Sequence, residues 1–310
     1  MIYSCRKYFL LLLLTFGGCI HSFAQVTRDD LQQYFSGGSY LANTQLKNVK
    51  AVKTFYEGLG FNPAWTGSEN IINCRTLFND LEFYVQRGLN QKDYSFNYIE
   101  SFKQTNGRLA GKNDSLQAEL KITDAAINFY NDLAYGNTRP DLGYNGLGSI
   151  SGCHNIPVLL ADFVLKKALP LLSSFLSPSI QEINKLEGRI KWFHSIMGQT
   201  GFSEVIIKSG KIYQNNKQLL LKLYQLGIID SAYSHMPDSN LKQKVKEAQR
   251  QFNLLADGFL RSTILHELNI PITIRLKQLN LSVNYYRWLH CILKNSSVIV
   301  VNIPAAYLKV

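Results

Sequence analysis

The chain has 310 residues, 46% hydrophobic and 18% charged, with 33 basic against 22 acidic side chains and a formal net charge of +11. That apolar share and length suffice for ordinary cores in up to two folded units, which excludes a disordered chain. Downstream of the first 24 residues only Cys74, Cys153 and Cys291 remain; an odd number without metal-ligand spacing excludes a disulfide-dense scaffold, and no metal or cofactor is expected.

The N-terminus carries Arg6 and Lys7, an apolar run from Tyr8 to Phe16, then Ser22-Phe23-Ala24 before Gln25. This is the pattern of a secretory signal peptide over residues 1–24. The run falls short of the roughly 20 apolar residues of a membrane span. Acylation at Cys19, in "FGGC", is the alternative, and would make an anchored lipoprotein. Removing residues 1–24 takes two of the 33 basic residues and none of the 22 acidic ones, leaving a net of +9. A basic chain exported to the periplasm or cell envelope is expected to meet an anionic polymer or surface, with envelope proteins as further partners; no nucleic-acid fold is visible.

Residues 25–204 read as helical. In "NDSLQAELKITDAAINFYNDLAYGN", Asp114 and Ser115 are candidate N-caps, and Leu116, Leu120, Thr123, Ile127, Tyr130 and Ala134 recur at helical spacing up to Gly136. Ile122, Ala126, Phe129 and Leu133 add a second seam, so this helix is expected to be buried. "LLADFVLKKALPLLSSFL" and "SIQEINKLEGRIKWFHSI" follow as helices, punctuated by Ser177-Pro178. "SISGCHN" places Cys153 beside Gly152 and His154; without a histidine between serine and glycine it reads as an incidental loop thiol rather than a nucleophile.

A linker over residues 205–218 is expected to lead into a compact unit over 219–271. Leu219, Leu223 and Leu226 mark a short helix closed by Gly227, and Leu241, Val245, Ala248 and Phe252 stripe a second, closed by Asn253. Asp257-Gly258 then turns the chain into a third helix ending before Pro271. Lys242, Lys246 and Arg250, at i, i+4 and i+8, form a basic ridge; a solvated helix face is the competing reading. A connecting helix is expected over 272–297. The β-branched run Val298 to Val301 reads as a strand, with Pro304 unable to donate to a ladder.

The stretch "VKEAQRQFNLLADGFLRSTILHELNIP" resembles a peptidoglycan-binding module, through Val245, Gln249, Leu254, Asp257, Gly258, Leu268 and Asn269. "FYEGLGFNPAWTG", "RGLNQKDY" and "DLAYGNTRPDLG" resemble the scaffold domain of murein L,D-transpeptidases, and "NYYRWL" with "VIVVNIPAAYLKV" resembles that family's passage into its catalytic domain. The order of the segments is shared, so the resemblance covers nearly the whole mature chain.

It implies a mainly α fold: a helical scaffold, a three-helix peptidoglycan-binding module, and over residues 298–310 the first strand of an all-β catalytic domain expected to be missing after Val310. It further implies peptidoglycan as partner, with contacts at Lys242, Lys246, Arg250, Asp257 and Gly258. The family's nucleophile is a cysteine in Ser-His-Gly-Cys, so no catalytic residue is assigned and the chain is expected to be inactive alone. The alternatives are the front part of an interrupted active transpeptidase, which would transfer acyl groups through a cysteine thioester, and an exported helical adaptor without sugar affinity. Ala248 stands where the module usually has an aromatic, Asn253 and Arg261 where it has glycine, and Ile264 where it has threonine. Arg261 in a turn wanting glycine is expected to cost about 1 kcal/mol or more.

Overall fold

A computed structural model of the chain describes residues 25–37, 45–106, 109, 111–138, 153–207, 216–230, 236–295, 300–302 and 307–309. The signal segment 1–24, with Cys19, lies outside them, as does most of the 205–218 linker.

The protein is mainly helical. In chain order come α1 (Arg28–Phe35), α2 (Val49–Gly58), α3 (Ile71–Val85), α4 (Phe96–Gln104), α5 (Lys112–Tyr135), α6 (Ile156–Leu165), α7 (Leu172–Leu176) and α8 (Gln181–Met197). These are followed by α9 (Asn216–Gln225), α10 (Asp238–Gln251), α11 (Ser262–Asn269) and α12 (Ile272–Asn295), then strands β1 (Val300–Asn302) and β2 (Tyr307–Lys309). Three residues assigned to the linker, Asn216 to Gln218, already belong to α9.

Helix α5 is the axis of the first core, because both its apolar seams are buried and α2, α3, α6, α7 and α12 pack around it. Its start differs from expectation. Gly111, extended at φ −117° and ψ 149°, occupies the N-cap. By Ser115 the helix is already running, and its Oγ donates back to Gly111 O at 3.1 Å. Asp114 sits in the first turn, where its charge suits the helix dipole. The end is as expected, with Gly136 at φ +70°.

Buried Glu119 organises the loop after α2. Its carboxylate accepts from the Ala64 N–H, from Trp65 N at 3.1 Å, and from Thr66 N and Oγ1 at 2.8 Å each. The Trp65 indole donates to Thr123 Oγ1 at 2.8 Å. "FNPAWTG" is thus a loop wrapped on one carboxylate, whose burial raises its pKa despite these donors.

A second core joins Phe193 and Ile196 of α8 to Leu219, Leu223 and Leu226 around α9, Leu241, Val245 and Ala248 of α10, Ile264 and Leu268 of α11, and Ile272. The segment 203–207 is stitched across it. Glu204 accepts from Lys222 Nζ at 2.6 Å and from Ile272 N at 3.1 Å, while the Asn269 amide bonds both backbone groups of Ile207 at 2.8 Å.

Two sequence readings need correction. Cys153 is not an incidental loop thiol: it forms a disulfide with Cys291 of α12, across a Cα–Cα distance of 5.9 Å and 138 residues of sequence. The terminal segment is not one strand either, since β1 and β2 pair antiparallel, with Val300 opposite Lys309 and Val301 opposite Leu308.

Candidate functional site

The predicted surface lies where α10 passes into α11. The apolar stripe of α10 is buried as its period requires, which turns Lys242 and Arg250 outward and leaves Lys246 half-buried. The chain leaves α10 through Asn253, in the left-handed region at φ +55°, a conformation asparagine tolerates.

Gln249, 3% exposed, reaches out of the core to fix the turn that follows. Its Nε2 donates to Asp257 Oδ1 at 2.9 Å and to Phe259 O at 3.0 Å, and its Oε1 accepts from Gly258 N at 2.7 Å. Asp257 Oδ1 also accepts from Phe259 N at 2.9 Å, and Oδ2 pairs with Arg261 Nε at 2.9 Å. The Phe259 N–H, then Gln249 and Arg261, hold the Asp257 pKa down at about 2, so it is an anion at any ordinary pH. Gly258 is required: φ is +77°, and a Cβ there would stand 2.6 Å from Lys242 Cγ.

Arg261 does not carry the expected strain. It sits at φ −77° and ψ 170°, extended backbone open to any residue, as the N-cap of α11. Its side chain instead neutralises Asp257.

Of the predicted site residues, Lys242, Asp257 and Gly258 come together at this turn. Lys246 and Arg250 lie further along the same helix, α10. Sequence reasoning missed Phe259, 51% exposed, whose ring has Lys242 Nζ at 4.6 Å and Arg261 Cζ at 5.5 Å. It also missed Leu255, 82% exposed. The available signal was two large apolar residues flanking a tight Asp-Gly turn, where a core has no room for both. The surface therefore offers two exposed cations, an aromatic ring and an apolar side chain on a rigid turn: groups that suit an anionic, partly apolar polymer.

A second convergence involves the segments quoted from the first half. Asn284 of α12 donates to Gly88 O at 3.1 Å and accepts from Asn137 N at 3.2 Å. Fully buried Arg287 donates to Glu187 Oε1 at 3.0 Å and to Arg87 O at 3.3 Å, and Arg87 reaches Glu187 Oε2 at 3.4 Å. Gly136 packs so closely on Asn284 that no Cβ could be added. "RGLN", "AYGN" and "NYYRW" thus meet at one joint between α5, α8 and α12.

Cys153 and Cys291 offer no nucleophile in this structure, because a disulfide sulfur has no thiolate. Cys74 is buried, and burial pushes its thiol up to about 12.

Among the described residues the fold is helical and built on two large apolar cores, with a small third cluster of Val205, Ile207 and Leu265. Residues 50–182 match the family described as Scaffold domain, the scaffold domain found in L,D-transpeptidases. The match covers most of the first core, though not α1, and stops at the start of α8. No curated protein matches the chain.

Proposed function

We propose that this is an exported, wall-associated protein of the L,D-transpeptidase family, which uses its scaffold domain as a frame and the α10–α11 turn as a peptidoglycan contact. The observation that carries this reading is the Gln249-locked Asp257–Gly258 turn beside a basic helix, in the same chain as a scaffold domain of that family. Lys242 and Arg250 would meet the anionic groups of the wall polymer, and Phe259 would meet its apolar faces. Lys246, half-buried on the same helix, would add to the positive field. Asp257 has a holding role, because its charge is already taken by Arg261.

The disulfide supports export, since such bonds persist in oxidising compartments and are rare where glutathione keeps thiols reduced. Transpeptidation is not assigned to any residue of this chain.

The test is sedimentation of the purified protein with isolated sacculi. Changing Lys242, Lys246 and Arg250 together to alanine is expected to reduce the sedimented fraction, and added salt to mimic that loss, because exposed charge contacts are screened within about 10 Å at 0.1 M. Sediment indifferent to both would overturn this contact, and no sediment even for the unchanged protein would favour the adaptor reading.

A further inference from the structure

Gly188 stands in the middle of α8, and a Cβ built on it meets nothing within 4 Å. Alanine would fit, and would favour the helix by about 1 kcal/mol. Internal packing therefore gives no reason for the glycine.

It lines an open cleft of about 360 Å³ between α8 and the residues that follow α9. Lys185, Arg189 and Trp192 line it from α8, at i, i+4 and i+7; Gly227 and Asp230 face them. Gly227 is bare by necessity, at φ +64° with Arg189 and Trp192 packed against it. Trp192 is held in place: its Nε1 donates to Gln225 O at 3.1 Å, and Tyr224 meets its ring edge-on at 5.6 Å. Arg189 gives one donor to Leu226 O, which orients the guanidinium.

We propose that this cleft binds a carboxylate-bearing amino sugar. The accessible part of the Trp192 indole takes the C–H face of the ring, and Arg189 and Lys185 take the carboxylate. Asp230 accepts from a hydroxyl or amide N–H, and the ring passes close over Gly188, where a side chain would block it. The cleft shares no residue with the Asp257–Gly258 surface, and the choice of an acidic amino sugar rests on the wall-associated reading given above.

The experiment titrates N-acetylmuramic acid into the full chain, with N-acetylglucosamine as the neutral control and tri-glutamate as the acidic peptide control. Binding of the acidic sugar in preference to both controls is expected. Gly188→Leu should leave the thermal midpoint equal or higher, which shows that it folds, and weaken the acidic sugar about tenfold or more. Lys185→Ala should reduce the preference for the acidic over the neutral sugar. No binding of the acidic sugar, equal binding by Gly188→Leu, or tighter binding of tri-glutamate would each overturn the assignment. Because the Lys242, Lys246 and Arg250 changes leave this cleft intact, failure here and failure of the wall contact give different results.

Discussion

Asp80 sits in the first core with its carboxylate between two hydroxyls, accepting from Tyr130 Oη at 3.0 Å and Ser173 Oγ at 3.1 Å. Burial outweighs these donors and lifts its pKa from 3.8 to about 6. The folded state therefore holds this proton more tightly than the unfolded one, so stability falls as the pH rises from about 4 through 6. Asp80→Asn should flatten that slope and raise stability at pH 7 by on the order of 2 kcal/mol. Urea unfolding at pH 4 and pH 7 checks this; an unchanged slope would assign it to Glu119 and Asp132, whose pKa values burial also raises. Arg287 poses the opposite case, a fully buried cation on Glu187. Arg287→Met should cost about 3–5 kcal/mol by leaving that carboxylate with Arg87 alone, and adding Glu187→Leu should recover a large part of the loss. A denaturation cycle over the two single variants and the double variant measures this.

At the scale of the element, the α10–turn–α11 unit depends on one amide. Gln249→Ala removes the side-chain acceptor of the Gly258 N–H and frees Asp257 on one side, at a cost of about 1–3 kcal/mol. Hydrogen exchange at the Gly258 and Phe259 amides should rise, and sacculus binding should weaken although no basic residue has changed. Exchange that stays slow would mean the turn is held without Gln249. Much of this unit was legible in the sequence: the stripe of α10, the Asn253 stop, the Asp-Gly turn and the end before Pro271 all follow from period and turn chemistry. The role of Gln249 was not, because periodicity counts it as a polar residue beside the stripe and says nothing of what its amide reaches. Arg261 misled for a related reason. The module it resembles has glycine there, yet the torsion this backbone takes is one that any residue adopts.

For the whole molecule, helical period said which residues of α5 are buried but not which other elements bury them. The joint at Asn284 and Arg287 brings together positions separated by nearly 200 residues, and the pairing of Cys153 with Cys291 spans 138. Local pattern carries no information at such distances. The joint also places α12 against both cores: α12 packs on α5 of the first, while Ile272 lies in the second. Opening the disulfide should lower stability by about 2–4 kcal/mol, since a long closed loop restricts the unfolded chain. Thermal unfolding of the Cys153→Ser, Cys291→Ser double variant tests this, and an unchanged midpoint would show that packing alone sets the stability.

That bond has a consequence for the integrity of the chain. Every peptide bond between residues 153 and 291, from the approach to α6 to the last turns of α12, lies inside a covalent ring. A protease that makes one cut anywhere in that stretch opens the ring without dividing the molecule. The nicked protein would migrate as a single species until reductant is added and then separate into two. The scaffold domain would thus keep its hold on the α10–α11 surface through a break in the backbone that connects them.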